Sequence, residues 1–143
     1  MENLHRSLAE DLRRAHAELR KDLRELEAAA RTPAGAGGEE LRACLGLTGA
    51  HLTEHFRLEE QNGYMDAVLQ RDPNRERAVR HLQDEHRRLA ASLDALLEAA
   101  AGRGPPEALR AGVLSWVERV RDHEARENAL VQDTFNVDLS AED

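Results

Sequence analysis

Apolar residues recur at spacings of three and four along four segments of this 143-residue chain. This spacing places apolar side chains on one face of an α-helix, whereas a strand would require alternation. Glycine and proline are concentrated at residues 32–38 and 102–106, which are therefore predicted to be loops. A third break is marked by Asp72, which can cap a helix whose first position is Pro73. The pattern predicts helices at roughly 3–31, 39–70, 73–101 and 106–133.

Four helices joined by short loops indicate an all-α fold. Short loops make neighbouring helices antiparallel, so we expect an up-down-up-down four-helix bundle with left-handed packing. The length fits one domain that can bury a core of its own. We therefore predict a single domain over residues 1–143.

Polar side chains interrupt the apolar faces at positions where leucine would be expected. An imidazole or a carboxylate that is buried without a partner costs several kcal/mol, and buried charges persist when they are paired or bind a metal. This placement is the strongest physical indication of a site in the sequence. The six residues are His16, His55, Glu59, His86, His123 and Glu127.

These six motif residues form two similar sets. Each set is a histidine followed, on the next predicted helix, by a histidine and a glutamate four residues later, and the sets are 68 to 70 residues apart. Four residues are about one helical turn, so His55 and Glu59 project from one face and can bind the same metal centre. At about 1.5 Å per residue, the four histidines fall near one level of an antiparallel bundle. The sequence therefore predicts a dinuclear metal site.

Mixed imidazole and carboxylate ligation suits iron, manganese or zinc and disfavours sites for soft metals. We expect His16 and His55 to bind one ion and the other two histidines to bind the second, with both glutamates bridging. About two positions of an octahedron then remain open on each ion for water, dioxygen or peroxide. Open positions on a redox metal indicate chemistry with small oxidants.

The chain contains the pattern H…HFRLEE…DEHRRL…DHEAREN on its four predicted helices. This pattern resembles the hemerythrin-like, HHE cation-binding proteins over nearly the whole chain, and most of all the bacterial branch with H–HxxxE–H–HxxxE. The resemblance implies a non-haem diiron centre with an oxo or hydroxo bridge, ligated by the six motif residues. A ferritin-like site is not favoured, because it uses Glu-x-x-His.

Oxygen-carrying hemerythrins differ from this chain at two positions. They place a fifth histidine where this chain has Leu82, and they end in HxxxxD where it has Glu127. Four histidines leave both irons more open, which favours the processing or sensing of peroxide, nitric oxide or iron over simple oxygen carriage. The open alternatives are turnover of a small oxidant, with peroxidase-like or catalase-like activity, a non-enzymatic iron- or oxygen-responsive protein, and a bundle carrying zinc or another redox-inert metal.

Two further histidines are weaker candidates for the site. His51 precedes His55 by one turn and could donate to a ligand or replace one, although a partly buried polar histidine is the favoured interpretation. His81 lies about 140° around the helix from His86, which favours solvent exposure. Both are kept as additional residues of the predicted site.

Gly63 predicts a kink or a break one turn beyond Glu59, because glycine inside a helix costs about 1 kcal/mol relative to alanine. The simpler interpretation is a loop turn or a helix cap. Alternatively, the irregularity brings Tyr64 to a metal as a phenolate ligand, whereas a regular helix would direct Tyr64 away from Glu59.

Composition and charge limit the possible binding partners and the possible cellular compartment. A formal net charge of −8 without a basic patch argues against nucleic acid. The single Cys44 excludes an internal disulfide and fits a reducing compartment. No signal-peptide-like start and no run of about 18 apolar residues is present. We expect a cytoplasmic monomer that does not bind membranes, with glutamate and arginine runs as solvated surface.

Overall fold

The computed structural model describes residues 2–32, 38–102 and 104–136, with side chains from residue 7 onward. No strand occurs in these ranges, so the all-α prediction is confirmed. The helices are, in chain order, α1 (Glu2–Arg31), α2 (Glu39–Asn62), α3 (Tyr64–Arg71), α4 (Glu76–Ala101) and α5 (Pro106–Phe135). None of these helices is both long and apolar enough to cross a bilayer.

The second predicted helix is two helices in the structure, divided at Gly63. This glycine has φ +83° and ψ 9°, a left-handed conformation that costs an L side chain energy and glycine little. It caps the end of α2 and the start of α3. The break therefore positions Tyr64 as the first residue of a new helix.

The structure describes only some of the residues that were predicted to form loops. Residues 33–37 and Arg103 lie outside the part of the chain that the structure describes. The Asp72 side chain accepts a hydrogen bond from the backbone N–H of Asn74 at 3.1 Å, but a short 3-10 turn over Pro73–Arg75 follows it. Helix α4, which corresponds to the third predicted helix, therefore begins at Glu76 rather than at residue 73.

Two clusters of buried apolar side chains fill the interior. The large core draws on all four long helices and surrounds Trp116, whose Nε1–H donates to the Leu89 carbonyl at 3.0 Å. The small core includes α3. On α1 the motif residue His16 separates Leu12 of the small core from Leu19 of the large core. Along the helices, the polar motif therefore falls between two apolar clusters.

Each long helix contacts two others. Helix α1 packs against α2 and α5, and α4 packs against the same two. This ring of contacts brings side chains from all four helices to one interior region.

Candidate metal centre

Six polar side chains from four helices meet in the interior. Each has a relative exposure of 8% or less, which is unusual for imidazole and carboxylate groups. Helix α1 contributes one histidine, α4 contributes another, and α2 and α5 each contribute a histidine and a glutamate one turn later. The structure thus brings together His16, His55, Glu59, His86, His123 and Glu127.

Glu59 contacts histidines from three helices. Its Oε1 lies 2.7 Å from Nε2 of His16 and 2.8 Å from Nε2 of His55. Its Oε2 lies 3.2 Å from Nε2 of His86. Because its two oxygens face different imidazoles, this carboxylate has the arrangement of a group that can bridge two ions.

Glu127 occupies the corresponding place on α5. Its Oε1 lies 3.2 Å from Nε2 of His16 and 3.4 Å from Nε2 of His123. Its other oxygen accepts a hydrogen bond from the Tyr64 hydroxyl. Glu127 therefore faces the centre with one oxygen and is held by a phenol at the other.

The donor atoms fall into two groups, each compact enough to hold a metal ion. One atom from each of His16, His55 and Glu59 lies within 4.8 Å of the others, and the same holds for Glu59, His86 and His123. The ring centroids are 5.7 Å apart in the first histidine pair and 5.5 Å apart in the second. Glu59 belongs to both groups.

Four atoms of the centre are buried and make no hydrogen bond to the described residues. An unsatisfied buried polar atom costs about 1–3 kcal/mol and is uncommon in folded proteins. Bound cations would use these lone pairs, and the nitrogen and oxygen donor set suits iron, manganese or zinc. The residues therefore fit a metal centre. The four atoms are Glu59 Oε2, His86 Nε2, His123 Nε2 and Glu127 Oε1.

Opposite charges face one another in the centre in the absence of metal. Burial alone would lower the pKa of His16, but the adjacent carboxylates of Glu127 and Glu59 stabilise its protonated form and raise the pKa to about 10. Burial would raise the pKa of Glu59, but the surrounding histidines hold it well below its ordinary value. A protonated imidazole thus occupies space between two carboxylates, and an incoming cation must displace that proton.

Three of the four rings donate a hydrogen bond from their outward nitrogen, Nδ1, to an acceptor outside the centre. Such acceptors fix the tautomer and direct Nε2 inward. None of them was predicted from the sequence. Each is adjacent in sequence to a motif residue, which was the available clue. The pairs are His16 with Asn128 (2.8 Å), His123 with Glu85 (2.7 Å) and His86 with Glu60 (3.2 Å).

A partly buried ion pair lies next to His16. Glu124 is 4% exposed and accepts a hydrogen bond from Arg20 at 2.6 Å. Its Oε1 lies 3.9 Å from Nδ1 of His16. Burial raises the pKa of Glu124 above its ordinary value. The assignment of glutamate and arginine runs to solvated surface is therefore wrong for this pair, because Glu124 is turned toward α1.

The two weaker histidine candidates do not enter the centre. His51 is exposed, with 57% of its side-chain surface accessible, and its Nδ1 lies 3.5 Å from Asp22. Partial burial was expected, but the ring sits on the outward side of α2. His81 is 61% exposed, as expected, and its Nε2 lies 4.0 Å from Glu85.

Tyr64 lies inside the site. Because the chain breaks at Gly63, Tyr64 does not follow the direction that a continued α2 would impose, and its hydroxyl reaches Glu127. The side chain is 1% exposed. Burial and the nearby carboxylates of Glu127 and Glu59 raise its pKa well above the ordinary value. Tyr64 is therefore a neutral phenol that donates to a carboxylate.

A surface pocket with two motif residues in its lining borders the centre. It has a volume of about 380 Å³ and lies where α2, α3 and α4 meet. Two motif residues, Glu59 and His86, line it together with Glu60, Met65 and Gln83. A small molecule in this pocket would lie against two residues of the centre.

Comparisons with known proteins point to one family. A family model described as "Hemerythrin HHE cation binding domain" matches residues 7–134. This range contains all six motif residues. No curated protein and no solved structure matches the chain.

Proposed function

The chain belongs to the hemerythrin HHE cation-binding domain family, and from that premise we propose that it is a non-haem diiron protein that binds or processes a small oxidant. The observation that carries this proposal is the place of Glu59 in both three-residue groups. Manganese or zinc would suit the same donors. The proposed ligands are His16 and His55 for one ion, His86 and His123 for the other, and Glu59 and Glu127 as bridges.

We also propose that the helices form one domain with an antiparallel up-down-up-down order. Two contacts between α2 and α4 support it. Arg42, near the start of α2, donates to the carbonyl of Ala100 near the end of α4 at 2.9 Å. Glu60, near the end of α2, accepts from His86 in the first half of α4. This order would bring the four histidines to one level.

Iron held by these residues would supply redox chemistry and open positions for dioxygen, peroxide or nitric oxide. The protein would supply the surroundings. The pocket beside Glu59 and His86 admits molecules of this size, and an apolar cluster lies on either side of the motif along the helices. Tyr64 keeps Glu127 in place by donating a hydrogen bond to it.

A second candidate is a non-enzymatic protein that responds to iron or oxygen. The observation that favours it is the position of the motif between the large and the small core. Loss of the ions would leave paired charges there and weaken the contact between the cores. Consumption of peroxide by the iron form would favour the enzyme. Strong dependence of stability on iron, without turnover, would favour the responsive protein.

The proposal is tested by metal analysis and absorption spectroscopy of protein expressed with added iron. We expect about two irons per chain and near-ultraviolet bands of a coupled diferric pair, in line with the family's carboxylate-bridged chemistry. Shifts of these bands on addition of azide or peroxide would indicate open positions. A preparation that retains no iron, or binds only one redox-inert ion, would contradict the diiron assignment.

Two variants test the ligand assignment. Glu59→Ala should abolish dinuclear binding, because it removes the carboxylate common to both groups. His81→Ala is the matched control and should retain two metals per chain, since this ring is exposed and outside the centre. Two metals retained in Glu59→Ala would overturn the assignment.

A further inference from the structure

The two halves of the proposed centre differ in the groups that accept hydrogen bonds from the outward Nδ1 atoms of their histidines. We name them the α1–α2 half (His16 and His55) and the α4–α5 half (His86 and His123). In the α1–α2 half, Nδ1 of His16 donates to the neutral amide oxygen of Asn128 at 2.8 Å, and the Glu124 carboxylate lies 3.9 Å from the same nitrogen, beyond hydrogen-bond distance. In the α4–α5 half, both rings donate to carboxylates.

Glu85 is the stronger hydrogen-bond acceptor of the two carboxylates. It accepts from Nδ1 of His123 at 2.7 Å, and 20% of its side chain is exposed. Arg126 donates to both of its oxygens, one of them at 3.2 Å from Nε, so Arg126 and His123 share this carboxylate. Glu60, by contrast, is 66% exposed and lies 3.2 Å from His86, so water competes for it.

The difference between amide and carboxylate has chemical consequences for the opposite side of the ring. A hydrogen bond to an ionised acceptor is roughly twice as strong as one between neutral groups. It draws the Nδ1 proton away from the ring and makes Nε2 a better metal donor. Loss of such an outer partner typically lowers metal affinity by about 10-fold to 100-fold.

We propose that Glu85 is a positioning residue that makes the α4–α5 half the tighter metal-binding half, so that the first ion binds at His86 and His123. This inference rests on the proposed metal centre and adds to it the order in which the two halves bind their ions, here called the order of filling. Glu85 contacts no metal in this arrangement; it acts through His123.

A zinc titration of the metal-free full chain tests the order directly. Zinc is redox-inert, so no turnover is needed. Long-range proton–nitrogen NMR spectra of the histidine rings report the tautomer of each ring and the shift of each Nε2 on metal binding. At one equivalent of zinc, His86 and His123 should shift, and His16 and His55 should follow with the second equivalent. Competition with a chromophoric chelator gives the two affinities.

Glu85→Gln is the decisive variant, because it keeps an acceptor oxygen at similar length and removes the charge. We expect it to weaken the tighter step by about 10-fold and to abolish the order of filling. Asp84→Asn is the matched control. It removes the same charge one residue away, where the carboxylate pairs with Arg87, and should leave both steps unchanged.

A second variant acts in the opposite direction. Arg126→Gln leaves the charge of Glu85 and removes its competitor for the carboxylate, so the tighter step should become severalfold tighter. Weakening of that step in Arg126→Gln would contradict the proposal. Circular dichroism of each metal-free variant checks that the helices remain folded.

The outcomes separate this inference from the proposed function. If Glu85→Gln behaves like Asp84→Asn, or weakens both steps equally, Glu85 does not set the order. Filling of the α1–α2 half first in the parent protein would also overturn the inference. If no histidine Nε2 responds to zinc in the parent protein, the metal centre itself is wrong.

Discussion

At the scale of single residues, burial of the motif depends on contacts between opposite charges. His16 is 1% exposed and would not tolerate this environment as an isolated charge. Its Nε2 faces Glu59 at 2.7 Å and Glu127 at 3.2 Å, which keeps the ring protonated in the absence of metal. The same contacts that place these atoms for metal binding therefore also stabilise the metal-free fold.

This pairing predicts how the stability of the metal-free protein depends on pH. The pKa of His16 is about 10 in the folded chain, above its ordinary value of 6.5. A raised folded-state pKa contributes stability that is fully present below about 6.5 and is lost as pH rises through about 10. The urea midpoint of metal-free protein should therefore fall between about pH 7 and about pH 10.

His16→Gln and His51→Gln separate this effect from general alkaline destabilisation. His51→Gln changes an exposed ring and should keep the slope of the parent protein. His16→Gln removes the buried imidazolium and should flatten the slope over this range. Equal slopes in the two variants would show that His16 does not carry the pH dependence.

Tyr64 supports a spectroscopic prediction. Its hydroxyl donates to Glu127 and its pKa is raised by burial and by nearby carboxylates, so the phenol stays protonated. The iron form should lack a phenolate-to-iron band in the visible region, and Tyr64→Phe should retain two metals per chain. A visible band that disappears in Tyr64→Phe would instead identify Tyr64 as a ligand.

At the scale of helices, the break after α2 is the feature that completes the site. Gly63 has φ +83°, and an added Cβ would meet no atom within 4 Å. Space is therefore available for a side chain, and the backbone conformation alone demands glycine. The break lets α3 start with Tyr64 turned toward Glu127.

Gly63→Ala should destabilise the protein by about 1–2 kcal/mol, because the left-handed conformation is unfavourable for a side chain. Gly46→Ala is the matched control within α2. It also has open space around the added Cβ but lies in regular helix, where alanine should gain about 0.5–1 kcal/mol. Urea unfolding of both variants gives the two values. Equal changes would mean that the conformation at Gly63 is not the cause.

The helix pattern and the six motif residues could be predicted because both depend on spacing along the chain. A polar residue at a core position of an amphipathic helix is visible in sequence, as with His86 among leucines. The orientation of Tyr64 toward the site could be raised only as an alternative, because it depends on the direction that the chain takes after Gly63. The contact between Glu85 and His123 could not be predicted, since it forms across the interface between α4 and α5.

At the scale of the whole molecule, the proposed metal centre lies between two cores of unequal size. The large core draws on four long helices and is centred on Trp116. The small core depends on α3 and on the ends of the long helices near it. Since the centre crosses from one core to the other, bound ions would connect parts of the molecule that differ in their own stability.

Metal removal should therefore lower stability unevenly. Ions that bind only the folded chain add about 2.7 kcal/mol when free metal exceeds the dissociation constant 100-fold, so Tm should rise with metal concentration. Hydrogen exchange should show the location of the loss. Amides of α3, around Val68, should lose protection in metal-free protein before those around Trp116, because the small core has fewer apolar contacts of its own. Loss of protection to the same extent in both cores would show that the chain unfolds as one unit and that the centre does not join two parts of different stability.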